Sequence, residues 1–83
     1  MSKAAKRLEK MRSNPQGDWT IQDAQAVCED HGVQLRAPKG GSHYKVTHAS
    51  QAEILTIPSA RPIKPIYIRK LVAFIDAVKD HKQ

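Results

Sequence analysis

The sequence has little cysteine and no long apolar run, and each shortage excludes a class of protein. The one cysteine, Cys28, can form no disulfide within the chain and belongs to no zinc motif of recognisable spacing. No apolar stretch approaches the roughly 18 residues of a transmembrane helix, and the charged N-terminus lacks the apolar core of a secretory signal. We therefore expect a cytoplasmic protein with no membrane association, in which Cys28 is a small buried hydrophobic residue.

Familiar catalytic motifs are missing too. No catalytic set of Ser, His and Asp is recognisable, and residues 39–42 are not a nucleotide-binding loop, because a strand pattern follows them instead of a helix. His43 and His48 are separated by an odd number of residues on a predicted strand, so their side chains should point to opposite faces and cannot easily share a metal ion. We predict that the protein uses no metal and no cofactor.

Positive charge is what the sequence has in excess. Fourteen Lys and Arg against eight Asp and Glu give a net charge of +6, which favours an anionic partner such as nucleic acid. Acidic proteins and membrane surfaces are the alternatives. The 83 residues allow one small folded unit, and 40% of them are hydrophobic, which is enough for a core.

Apolar residues at helical spacing predict three helices. The first, at residues 2–13, is strongly basic and would contact phosphates or an acidic surface, or else be a solvated, fraying terminal helix. The second begins after Thr20, which forms a capping box with Asp23, and stops at Gly32. The third follows Pro65 and carries the strongest apolar stripe, which consists of Ile68, Leu71, Val72, Ile75 and Val78.

Alternating apolar and polar residues predict three strands between the second and third helices. A four-residue loop between the first two strands would place Arg36 opposite His43 and Leu35 opposite Tyr44, and the next hairpin would place Ile57 beside Tyr44. We therefore predict an α+β fold, in which two helices cover one face of a three-stranded antiparallel sheet and a short basic N-terminal helix is added. The other face of the sheet would stay open.

The candidate functional residues lie around the loop that precedes the second strand. Histidine both gives and takes protons near neutral pH, and flanking cations would favour a phosphate. Adjacent glycines let the chain turn sharply and let a bulky anion approach the backbone. The alternative is a surface histidine after an ordinary Gly-Gly turn. The catalytic candidate is His43, and the candidates for binding RNA phosphates are Arg36, Lys39, Gly40, Gly41, Ser42 and Lys45.

From Trp19 to about Ile75 the sequence resembles the HicA family, the small messenger-RNA interferases of bacterial toxin-antitoxin pairs. The resemblance lies in Gly-Gly-Ser-His at 40–43, Leu-Thr-Ile-Pro at 55–58 and a following helix led by proline, at this spacing. It implies a fold of order α-β-β-β-α, like the double-stranded-RNA-binding domain, and an RNA-cleaving histidine at His43. It also implies a HicB-type antitoxin that covers and silences the toxin.

Residues and resemblance together predict a toxin that is a metal-independent endoribonuclease acting on mRNA. Since the ribose 2′-hydroxyl of the substrate would be the nucleophile, one histidine could act as general base. We expect Arg36, Lys39 and Lys45 to stabilise the charge that develops on the phosphate. Residues 1–18 would form the basic helix and turn, residues 19–83 the RNA-cleaving domain, and the free toxin would be a monomer.

A non-catalytic RNA-binding module of the same fold is the alternative. Such modules use lysines at the start of the last helix and loop contacts to the grooves, for which Lys64, Arg69 and Lys70 are available. A DNA-binding adaptor is less favoured, because the most basic helix is terminal and the second helix is acidic. A histidine on the open sheet face favours the enzyme, since a binding module does not need one.

Overall fold

The computed structural model describes residues 3–41, 43–60 and 62–81. Its elements follow the order α1 (Lys3–Ser13), α2 (Ile21–Asp30), β1 (Gln34–Arg36), β2 (His43–Thr47), β3 (Leu55–Pro58) and α3 (Pro65–His81). The strands form one antiparallel sheet in the order β1-β2-β3. This confirms the predicted α+β fold. In the described part of the chain, no helix has the length and apolar character needed to cross a membrane.

The hydrophobic core lies between the helices and one face of the sheet. Val46 of β2 and Ile57 of β3 are fully buried, whereas their sequence neighbours Lys45 and Thr56, which point the other way, are exposed. Most of the other core residues come from the helices. They are Leu8, Met11, Ala24, Val27, Cys28, Ile68, Leu71, Val72, Ile75 and Val78. The apolar stripe predicted for α3 is thus buried, and the second face of the sheet is open, as expected.

Helix α1 belongs to this core, so the alternative of a solvated, fraying helix is wrong. Leu8 is 1% exposed and Met11 is 0% exposed. Burying an apolar side chain of this size stabilises a fold by roughly 1.5–3 kcal/mol. On the rim, the guanidinium of Arg12 donates two hydrogen bonds to the carboxylate of Asp76 in α3, at 2.7 and 2.9 Å. The first helix is therefore held by packing as well as by charge.

Helix α2 begins and ends where its sequence predicts. Thr20 Oγ1 accepts a hydrogen bond from the backbone N–H of Asp23 at 3.3 Å, and Asp23 Oδ2 accepts one from the backbone N–H of Thr20 at 3.0 Å. Gly32, with φ of 70°, follows the helix end in a conformation that glycine tolerates best. Cys28 is fully buried, as predicted, and this burial raises the pKa of its thiol to about 12.

The register between β2 and β3 is confirmed, whereas the predicted register between β1 and β2 is wrong by two residues. Tyr44 pairs with Ile57 as expected, but Leu35 pairs with Val46. The predicted register assumed a loop of four residues, whereas β1 ends at Arg36 and β2 begins only at His43, with Gly40 between them at φ of 75°. Because side chains alternate with a period of two, this shift keeps every residue on its predicted face.

A candidate nucleic-acid interface on the open face of the sheet

His43 is the first residue of β2, and its side chain is exposed on the open face of the sheet. The next residue, Tyr44, turns inward and is half-buried, which is the alternation that a strand imposes. Across β3 the residue opposite His43 is Pro58. The imidazole is therefore accessible to a ligand, and it takes no part in the buried core.

Two cations share this face with His43. Arg36 of β1 and Lys45 of β2 are directly opposite each other and both are exposed. Opposed Cβ atoms lie about 5 Å apart, and the diagonal neighbour, here His43, lies within reach of a long side chain. The predicted direct pairing of Arg36 with His43 is wrong, since Arg36 faces Lys45 instead. We call the exposed cluster of Arg36, His43 and Lys45 the basic face.

No carboxylate neutralises this cluster within the described residues. The ion pairs found there use Arg7 and Arg12, and neither Arg36 nor Lys45 takes part in one. Like charges that face each other across two strands repel. A bound anion such as a phosphate would relieve that repulsion, so the arrangement favours an anionic ligand.

The two glycines predicted to bind phosphate, Gly40 and Gly41, differ in backbone conformation. Gly40 has φ of 75°, a conformation that L side chains rarely adopt, and its surroundings are open to at least 4 Å. Gly41 needs no such conformation, and an added Cβ would make only an ordinary contact of 3.7 Å with Pro38. Lys39 is exposed beside them. Ser42 lies outside the described residues.

Thr56 extends the basic face across the sheet, although it was not among the predicted binding residues. It is exposed and lies opposite Lys45, so Arg36, Lys45 and Thr56 form one row over β1, β2 and β3. A threonine hydroxyl can donate a hydrogen bond to a phosphate oxygen. The signal was present in the sequence, because the alternation that predicts the register between β2 and β3 already puts Thr56 beside Lys45.

His48 has a structural place in the turn after β2. Its Nδ1 accepts a hydrogen bond from the backbone N–H of Ser50 at 3.0 Å and lies 2.7 Å from Ser50 Oγ. It is half-buried, in contrast to the exposed His43. In the part of the chain that the structure describes, no three His, Cys, Asp or Glu side chains are placed to hold a metal ion.

Comparisons of the chain with protein-family models, with curated proteins and with solved structures found no match. The function of the basic face therefore has to be inferred from its residues, their geometry and their charge.

Proposed function

We propose that the protein is an endoribonuclease that cleaves mRNA in the cytoplasm without a metal ion, with His43 as its catalytic residue. The observation that carries the proposal is an exposed histidine on an open sheet face, beside two cations with no carboxylate partner among the described residues. The Gly-Gly-Ser-His motif and its resemblance to the HicA toxins support the same assignment. The chain would thus be the toxin of a toxin-antitoxin pair.

In the proposed reaction His43 removes the proton of a ribose 2′-hydroxyl. The 2′-oxygen then forms a bond to the adjacent phosphorus while the bond from phosphorus to the 5′-oxygen breaks, and the leaving oxygen takes a proton from solvent. The products are a 2′,3′-cyclic phosphate and a 5′-hydroxyl. General base assistance of this kind contributes roughly a hundred- to ten-thousandfold in rate.

Charge on the transferring phosphate needs donors that are in position before the reaction. Arg36 and Lys45 supply two cations on one row of the sheet, and Lys39 supplies a third from the exposed loop. Backbone N–H groups of the loop at Gly40 and Gly41 are further donors, because neither residue has a side chain that would keep a phosphate away. Arg36 and Lys45 bind substrate in this proposal, and only His43 transfers a proton.

The proposed silencing partner is an antitoxin of the HicB type that covers the basic face. An acidic segment of such a partner would neutralise Arg36 and Lys45 and exclude RNA from His43 at the same time. The free toxin would be a monomer, with the basic face open to solvent.

The experiment compares cleavage of one labelled RNA by wild type, His43→Ala and His48→Asn, with a chelator present. His43→Ala should fold normally, keep most of its RNA affinity and lose about a hundredfold or more in cleavage rate. His48→Asn is the matched control, because an asparagine can accept the hydrogen bond from Ser50 in an Asx-turn and should leave cleavage unchanged. Undiminished cleavage by a folded His43→Ala protein would rule out the catalytic assignment.

A non-catalytic RNA-binding module is the second candidate, because Lys64, Arg69 and Lys70 are all exposed at the start of α3. The two functions predict different losses. If wild type does not cleave RNA, and Lys70→Ala weakens binding while Lys45→Ala does not, the binding module is the better description.

A further inference from the structure

A cavity of about 310 Å³ outside the sheet is lined by Lys6, Arg7, Lys10 and Trp19. None of these residues belongs to the basic face. The lining thus consists of three cations and one large aromatic ring, and none of these residues carries negative charge. A second cavity of about 330 Å³ also has Lys10 and Trp19 in its lining, together with Asp18 and Asp23.

Trp19 is fixed in place by the turn that follows α1. Its ring Nε1–H donates a 2.7 Å hydrogen bond to the carbonyl of Asn14, and its backbone N–H donates a 2.9 Å bond to the carbonyl of Gly17. Gly17 leaves no room to spare, since an added Cβ would lie 3.1 Å from the same Nε1. The ring is half-buried against the core, so its remaining surface is held rigidly at the cavity. A rigid aromatic surface binds a flat ligand at little entropic cost.

The cations of the cavity are not equivalent. Arg7 forms an ion pair with Asp30 of α2, which largely neutralises its charge. Lys6 and Lys10 are exposed, and in the described part of the chain neither forms an ion pair. Two lysines four positions apart lie on one side of a helix, here beside the aromatic ring. Their charges are available to an anion that reaches the cavity.

We propose that this cavity is a second RNA-binding site, in which a base of single-stranded RNA stacks on Trp19 and the neighbouring phosphates contact Lys6 and Lys10. Stacking platforms flanked by cations are how proteins bind single strands without reading their sequence. An acidic peptide could use the lysines but would leave the fixed aromatic surface unused, so RNA fits the lining better. The site rests on the proposed function only for the choice of RNA as its ligand, and it does not require cleavage.

Trp19 is the one tryptophan of the chain, so tryptophan fluorescence reports on the surroundings of this ring. The probe is a short 2′-O-methyl oligoadenylate, which cannot be cleaved because its 2′-oxygen is blocked. Titration of the full chain with this probe should quench Trp19, whereas inorganic polyphosphate, which has charge but no bases, should quench little. An acidic peptide that quenched as strongly as the oligonucleotide would overturn RNA as the ligand.

Two variants test the lining by fluorescence anisotropy of a labelled oligonucleotide. Lys10→Ala should weaken binding and make the slope of log affinity against log salt shallower by about one. Lys79→Ala, which removes an exposed lysine from α3, is the matched control and should change neither. Trp19→Leu should weaken binding about tenfold, the loss expected for one stacked base, with circular dichroism confirming that the protein is folded.

The experiments distinguish an error in the second RNA-binding site from an error in the proposed nuclease activity. If the oligonucleotide binds without quenching Trp19, and Lys10→Ala binds like wild type, the second site is wrong even where His43→Ala abolishes cleavage. If quenching and the effect of Lys10→Ala are present but no RNA is cleaved, the second site stands and the nuclease assignment fails.

Discussion

Arg36 and Lys45 lie directly opposite each other on β1 and β2, and within the described residues neither side chain has an acidic partner. Cross-strand pairs contribute roughly 0.2–1 kcal/mol, and like charges in this position act against the fold by similar amounts. Repulsion between the two cations therefore lowers the stability of the fold when no anion is bound. An anion bound between them should reduce this repulsion and stabilise the fold. Stability and ligand affinity are expected to respond in opposite directions at these positions.

This relationship predicts the effect of Lys45→Gln. Removing one of the two facing charges should raise the free energy of unfolding by up to about 1 kcal/mol, while RNA affinity falls and its salt slope becomes shallower by about one. Urea unfolding and anisotropy measure the two quantities. Lys79→Gln removes the same charge from α3 and should leave both unchanged. A less stable Lys45→Gln protein with full RNA affinity would contradict the prediction.

The two glycines of the loop should respond differently to alanine. Gly40→Ala forces a side chain into a left-handed conformation and should cost about 1–2 kcal/mol, although nothing lies within 4 Å of the new Cβ. Gly41→Ala makes only a contact of 3.7 Å and should be neutral or slightly stabilising in urea unfolding, since alanine restricts the unfolded chain. Equal losses at both positions would mean that the backbone at Gly40 is not the cause.

The place of α1 in the core predicts a large effect of Met11→Ala. Truncating a fully buried methionine costs about 2–5 kcal/mol, which approaches the total stability of many small domains, about 5–15 kcal/mol. Ile66→Ala is the matched control, because Ile66 is 53% exposed on α3 and should lose little. A Met11→Ala protein as stable as Ile66→Ala would show that α1 is not packed on α3 in solution.

Burial of Cys28 predicts an unreactive thiol and a stability that declines at alkaline pH. The pKa of the folded thiol is about 12, whereas the unfolded thiol should titrate near 8.5. Its stabilising contribution is therefore complete below about pH 8.5 and declines as the pH rises towards 12. At pH 8 a thiol reagent should react only after urea unfolding, and Cys28→Ala should lack this part of the alkaline decline. Rapid reaction of the native protein would contradict the burial.

The sequence predicted the local features well and one long-range relationship poorly, for identifiable reasons. The capping box of Thr20 and Asp23 depends on residues three apart, so it can be read without knowing the fold. The register of β1 against β2 could not be read in this way, because a shift of two residues leaves the apolar pattern satisfied and the pattern does not give the length of the connection between the strands.

For the candidate site too, the local features were predicted from the sequence and the pairing of β1 with β2 was not. Alternation along β2 was enough to put His43 and Lys45 on the open face, and it placed Thr56 beside them. Which cation lies opposite His43 depended on the register of β1, so that detail was wrong. Trp19 packs against the core, and its cavity with Lys10 arises from the packing of α1, which the sequence pattern could not establish.

The side-chain hydrogen bond between Arg12 and Asp76 joins residues that are 64 positions apart in the sequence. This separation affects how the protein folds during its synthesis. During translation α1 leaves the ribosome before α3, so Leu8 and Met11 are exposed to water until the stripe of α3 that packs with them in the core has been synthesised. Contacts this distant along the chain form late in folding. The nascent chain therefore cannot complete its core until α3 has emerged, which gives a partner or a chaperone time to meet it before it is fully folded.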